Sequence, residues 1–198
     1  MIRIIALVAL MTVSAHAQSL YIGTKADSNV EHFKGAPPYI GEYAGPVFES
    51  NWTVNKSIVN GVESISGTIY FKNIQSTQER FRVLLDLPVA RLDGFAYGGT
   101  VVITLVTDQD GGTLTCGGAN YAVGPTVNGM ALPGALGYCP FNVGASGAGN
   151  LSVSAITGLP LGSLTSTKTL NSGGLVADLK LTGGDSVSLT FNVKYKAD

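Results

Sequence analysis

Asn51-Trp52-Thr53-Val54-Asn55-Lys56-Ser57-Ile58-Val59-Asn60-Gly61-Val62-Glu63-Ser64-Ile65-Ser66-Gly67-Thr68-Ile69-Tyr70-Phe71 is the stretch whose reading decides the fold. Large apolar residues fall on alternate positions, Trp52, Val54 and Ile58 before the break, Ile65, Ile69 and Phe71 after it. A period of two is the mark of a strand with one face buried. The break is Asn60-Gly61, a pair favoured in two-residue hairpin turns because both positions accept positive φ. Val62 is out of phase with Ile65 and Ile69, which predicts a bulge or a change of register just after the turn.

The same alternation continues downstream. Phe81, Val83, Leu85 and Leu87 alternate with Arg80, Arg82 and Asp86 and should stop at Pro88. Residues 100–107 are apolar at Val101, Val102, Ile103, Leu105 and Val106, which predicts a mid-sheet strand covered on both faces. A turn at Asp108-Gln109-Asp110-Gly111-Gly112 leads into a strand over 113–116. Further strands are expected over 151–156, 175–181 and 187–195, the last two joined by Thr182-Gly183-Gly184-Asp185. No window shows a helical stripe with a cap. About eight short strands with glycine-rich turns predict an all-β, antiparallel β-sandwich, Ig-like or jelly-roll-like, with a barrel as the second choice.

Upstream, residues 18–48 break the pattern with Gly35-Ala36-Pro37-Pro38 and Gly45-Pro46. They read as an extended arm, in which Leu20, Ile22 and Thr24 form one short strand able to pair with this chain or a neighbour. Residues 1–17 carry one cation, Arg3, then an apolar run over 4–13 and the small-x-small site Ala15-His16-Ala17, the layout of a cleaved secretory signal. The organisation expected is therefore a signal over 1–17, an arm over 18–48 and one sandwich domain over 49–198. The mature chain would be periplasmic, secreted or at the cell surface of a bacterium. No later window has the length and apolarity of a spanning helix.

The 198-residue chain has 12 Lys and Arg against 13 Asp and Glu. Removing Arg3 leaves 11 − 13 = −2, a balance with no electrostatic grip on nucleic acid or anionic lipid. The placement of charge says more than its sum. Over 111–167 there is no Asp, Glu, Lys, Arg or His, and half of the 26 glycines lie there. Such a stretch lacks the charged gatekeepers that stop sheet edges from pairing with other chains.

Cys116 and Cys139 are the only cysteines, and in an exported chain they should form one disulfide. No Cys-x-x-Cys is present, and no metal or other cofactor is expected. His32 is the one histidine after the signal; it sits in the arm, a poor place for a catalytic base. Glycosidase chemistry would need two converging carboxylates, and a pair such as Glu63 and Asp86 has nothing particular to recommend it. Asp108 and Asp110 look like the opening of a calcium loop, yet the twelfth position is Ala119 where a bidentate Glu is needed, so a plain Asp/Gly turn is expected. For glycan binding the rings available are Trp52, Tyr97, Tyr121 and Tyr138. Trp52 reads as core, and Tyr97, between Gly94 and Gly98, reads as the ring most suited to face a ligand.

The ending Gly183-Gly184-Asp185-Ser186-Val187-Ser188-Leu189-Thr190-Phe191-Asn192-Val193-Lys194-Tyr195 is similar to the last strand of chaperone–usher pilins, where alternating apolar residues ahead of a near-terminal tyrosine face an acceptor groove. Tyr195 stands three residues from the end instead of penultimate, and both cysteines lie late. The resemblance implies a role in assembly.

With catalytic and metal signatures absent, the chain reads as a non-catalytic surface or extracellular protein. It would self-associate, or adhere to a surface protein or glycan, by β-strand addition, using Leu20 and Ile22 of the arm or the strand that ends at Tyr195. The alternatives are a carbohydrate-binding module built on Tyr97 and a hydrolase using paired acids.

Overall fold

A computed structural model describes residues 18–118, 123–132 and 142–198, except for the side chains of 153–160 and 163. These residues form twelve strands: β1 (Ser19–Gly23), β2 (Ser28–His32), β3 (Tyr39–Ala44), β4 (Phe48–Val59), β5 (Val62–Asn73), β6 (Glu79–Thr107), β7 (Gly112–Cys116), β8 (Val123–Val127), β9 (Met130–Ala131), β10 (Asn142–Ala145), β11 (Gly149–Leu181) and β12 (Ser186–Ala197). Every pairing is antiparallel, and the sheet does not close into a barrel. The architecture is an all-β sandwich, as the alternation predicts.

Two long strands make the sandwich out of one sheet. The first part of β6 pairs with β1 on one side and with the end of β11 on the other; beyond β11 lie β7 and β8, with β10 and β9 outside them. The second part of β6 pairs with the beginning of β11 and with β12, and the layer continues through β5 and β4 to β3. The β6–β11 ladder therefore belongs to both layers. The register shifts along it between Ser154 and Ser172 are the irregularities that let it turn from one layer into the other.

The core fills the space between the layers. Phe81 of β6 stacks on Phe71 of β5 at 4.8 Å between ring centroids and meets Phe48 of β4 edge-on at 5.7 Å, so three rings from the two layers interlock. Trp52, Val54, Ile65 and Ile69 point into the same space, as expected. The Asn60-Gly61 turn has both residues at positive φ, 51° and 74°, and joins Val59 to Val62.

Several expectations are corrected. Val62 opposes Val59 in an unbroken register, with no bulge; it points outward and Glu63 takes the inward position. Residues 18–48 include the short strand expected at Leu20 and Ile22, paired within this chain, but they are more than an arm. They contain β1, β2 and β3, and Leu20 and Ile22 are fully buried, because the proline and glycine pairs fall between strands. Nor does the strand over 81–87 end at Pro88: β6 continues, since β1 has finished opposite Asp86 and a break in the β11 ladder falls nearby, a place where a strand tolerates proline. Residues 100–107 do lie mid-sheet, but Val106 is 39% exposed, so only one face is covered.

The strand ending at Tyr195 is interior, with β5 on one side and β6 on the other. Tyr195 is fully buried and crosses to the opposite layer, where its hydroxyl donates to the Thr126 carbonyl (2.7 Å) and accepts from the Gly174 N–H (3.0 Å). Burial raises its phenol pKa far above the ordinary tyrosine value. Tyr195→Phe leaves two buried backbone groups without this partner and should cost about 1–3 kcal/mol in chemical denaturation. Because the folded-state pKa is raised, the stability tied to this group is complete below the unfolded value of about 10 and drains away as pH climbs above it. Alkaline titration of stability should show a shallower fall in Tyr195→Phe than in the natural chain.

Candidate functional site

The chemical candidates separate when placed in the fold. Tyr97 is 4% exposed and packs beside Phe95 in the core, 5.9 Å between centroids; it faces no solvent, which removes the ring on which glycan recognition depended. Tyr121, Tyr138 and Cys139 lie outside the described residues. Cys116 ends β7 and is not a free thiol. His32 ends β2 and is exposed.

Glu63 is buried but engaged. It pairs with Lys56 Nζ at 3.3 Å and accepts from the Ala90 N–H, while Lys56 Nζ also donates to the Pro88 carbonyl at 2.5 Å. The group clips the β4–β5 hairpin to the point where β6 passes between layers. Its signal in the sequence is the phase: Glu63, not Val62, is in step with Ile65 and Ile69. Asp86 is held elsewhere, its pKa raised by burial against hydrogen bonds from Ser172 and the Gly129 backbone. Asp108 caps its own turn, its Oδ1 accepting from Asp110 N at 3.0 Å and its N–H donating to Asp185 Oδ1 at 3.1 Å. Among the described residues no group of three or more His, Cys, Asp or Glu is arranged to hold a metal.

What the fold does leave available is main chain. β3 pairs only with β4, and β11 before its crossing pairs only with β6, so the second layer has an unpaired edge at each end among the described residues. Antiparallel ladders alternate between pairs that exchange hydrogen bonds and pairs that do not. The Gly45 N–H bonds the Phe48 carbonyl at 3.0 Å, which puts Tyr43, Gly41 and Tyr39 in the bonded set with β4. Ile40, Glu42 and Ala44 therefore turn their N–H and C=O groups outward. Stepping this alternation through the unbroken registers from β4 to β6 places Gly149 and Leu151 in the bonded set with β6. Asn150, Ser152 and Ser154 then turn outward at the other edge.

The two edges are alike in length and differ in charge. β3 is six residues long, and β11 runs in regular register over 149–154 before its first shift. β3 carries one charge, Glu42, and displays Ile40 at 73% exposure. The edge at 149–154 has none, being part of the charge-free stretch. By contrast β2, the outer strand of the first layer beside β1, is exposed on both faces and carries Glu31 and His32. A charged, wet edge of that kind is guarded against pairing.

Comparison with protein-family models finds no match, and comparison with curated proteins finds none either. In dilute solution the amides of Ile40, Glu42 and Ala44 should exchange with solvent much faster than those of Gly41 and Tyr43, and Asn150 and Ser152 faster than Leu151. Residue-resolved hydrogen exchange by NMR checks this; uniform protection along β3 would mean that its outer side is covered.

Proposed function

We propose that this chain is an exported, non-catalytic β-sandwich protein of the cell surface or extracellular space, and that it self-associates by β-strand addition. The observation that carries the reading is the pair of unpaired edges at the two ends of one layer, each with three residues aiming peptide groups outward. Strand addition draws its affinity from main-chain hydrogen bonds and needs an edge that is regular and not defended by charge. The charge-free stretch of sequence supplies one such edge. The strands that local alternation suggests for this role, those containing Leu20 and Ile22 and ending at Tyr195, are already paired on both sides and are replaced in it by β3 and the beginning of β11.

Export rests on the segment 1–17 and on the residue that succeeds it. Gln18 takes part in the fold: its carbonyl accepts from Phe33 N–H at 2.8 Å and its side chain accepts from Tyr39 Oη at 2.7 Å. Cleavage after Ala17 would keep both of these hydrogen bonds in the released chain. A disulfide between Cys116 and Cys139 belongs to the same oxidising destination.

Two measurements test the reading. Mass spectrometry of the protein recovered from outside the cytoplasm should give a chain starting at Gln18 with no free thiol. Sedimentation velocity of that chain over a concentration series should show reversible association; a chain that stays monomeric at the highest attainable concentration rules out self-association.

A further inference from the structure

We infer that the copies join head to tail, the β3 edge of one chain adding to the 149–154 edge of the next, so that the second layer continues from molecule to molecule as an open filament. This rests on the self-association reading and names the surfaces and the symmetry.

Three observations select this arrangement. The first is strand parity. The layer contains six strands in the order β11, β6, β12, β5, β4, β3, all antiparallel, so its two edge strands run in opposite directions. Setting the next copy beside β3 in the same orientation brings an oppositely directed β11 against it, and the antiparallel alternation continues without a flaw. An odd number of strands would have produced a parallel junction.

The second is the match of faces. Ile40, Glu42 and Ala44 carry their side chains on the outer face of the layer, away from the core side on which Tyr39 is buried. Ser152 does the same, its hydroxyl lying 3.0 Å from Thr104 Oγ1 on that face. Asn150 and Ser152 thus meet their partners in β3 with side chains on one side, and the outer faces of neighbouring copies run on continuously.

The third is charge. In the register that uses all three outward residues of each edge, Ile40 opposes Ser154, Glu42 opposes Ser152 and Ala44 opposes Asn150. Glu42 then meets a hydroxyl. The competing two-fold pairing of β3 with β3 of another copy, in its fullest register, sets Glu42 directly against Glu42, and like charges facing across a ladder oppose pairing. A junction between different edges leaves one free edge at each end of every oligomer it builds and so propagates, whereas a two-fold one stops at the dimer.

The test uses one proline at each edge. Glu42→Pro and Ser152→Pro each remove an outward N–H and leave the inward ladders to β4 and β6 untouched, a substitution that edge strands accept. Far-ultraviolet circular dichroism verifies that both variants fold. Sedimentation velocity on the full mature chain should then show species larger than dimers for the natural protein and monomers for each variant alone. Mixing the two variants should restore a dimer and nothing larger, because the mixture retains one intact β3 and one intact 149–154 edge. Dimers of Ser152→Pro alone would mean β3 pairs with itself, and dimers of Glu42→Pro alone would mean the same of β11; either overturns the head-to-tail junction while leaving self-association standing. So would a mixture that stays monomeric. A natural chain that never associates overturns both.

Discussion

The structure depends on the ladder between β6 and β11. Both strands are longer than either layer needs, and each contributes one part to each layer, so the sandwich is a single sheet turned back on itself. A sandwich of two separate sheets is held only by the packing between them; here main-chain hydrogen bonds also run continuously from one layer into the other. That continuity fixes which faces meet, and it places Phe81 against Phe71 and Phe48 without any adjustment by loops. The buried Lys56–Glu63 pair, sited beside the turn of β6 at Pro88 and Ala90, secures the hairpin to this corner. A carboxylate in a core is costly unless it is paired and hydrogen-bonded, and both conditions are met.

The same ladder accounts for the open edges. Because β11 begins in one layer and ends in the other, its first part has, among the described residues, β6 as its one neighbour, while its last part is flanked by β6 on one side and by β7 and β8 on the other. The uncharged composition of 111–167 thus has different consequences at different places. In β8 every residue is buried and charge would be expensive; along 149–154 the edge faces outward and neutrality is what makes it receptive.

Local features of the sequence translated directly. Asn60-Gly61 specified its turn, and the alternation through Trp52, Ile69, Leu85, Leu179 and Val193 identified inward faces, because a period of two leaves one face for the core wherever the strand lies. Long-range features did not translate. Pro88, Gly94 and the glycines of β11 look like strand breakers, and only tertiary context shows that the chain runs through them as it passes between layers. The arm misled for a related reason: β1 and β2 are short, and Leu20 and Ile22 gain their burial from β6, far along the chain. Tyr97 between glycines suggested a ring facing a ligand, whereas β6 runs straight through this segment and the ring is held inside. Of the open edges only that at 149–154 was legible, as an absence of charge, while β3 carries Glu42 and gave no such sign; which strands bear the edges is a property of strand order, and no local pattern encodes strand order.

The position of β12 has a consequence for how the molecule is made. β12 follows the other eleven strands along the described chain and yet is inserted between β5 and β6, near the middle of its layer, and Tyr195 at its end ties the two layers together. Until β12 is in place, the layer is two fragments with raw sides facing each other, and pairings so distant along the chain close slowly. The layer is therefore completed only when β12 fills the gap between β5 and β6, and the two halves of the sandwich are joined in the same step.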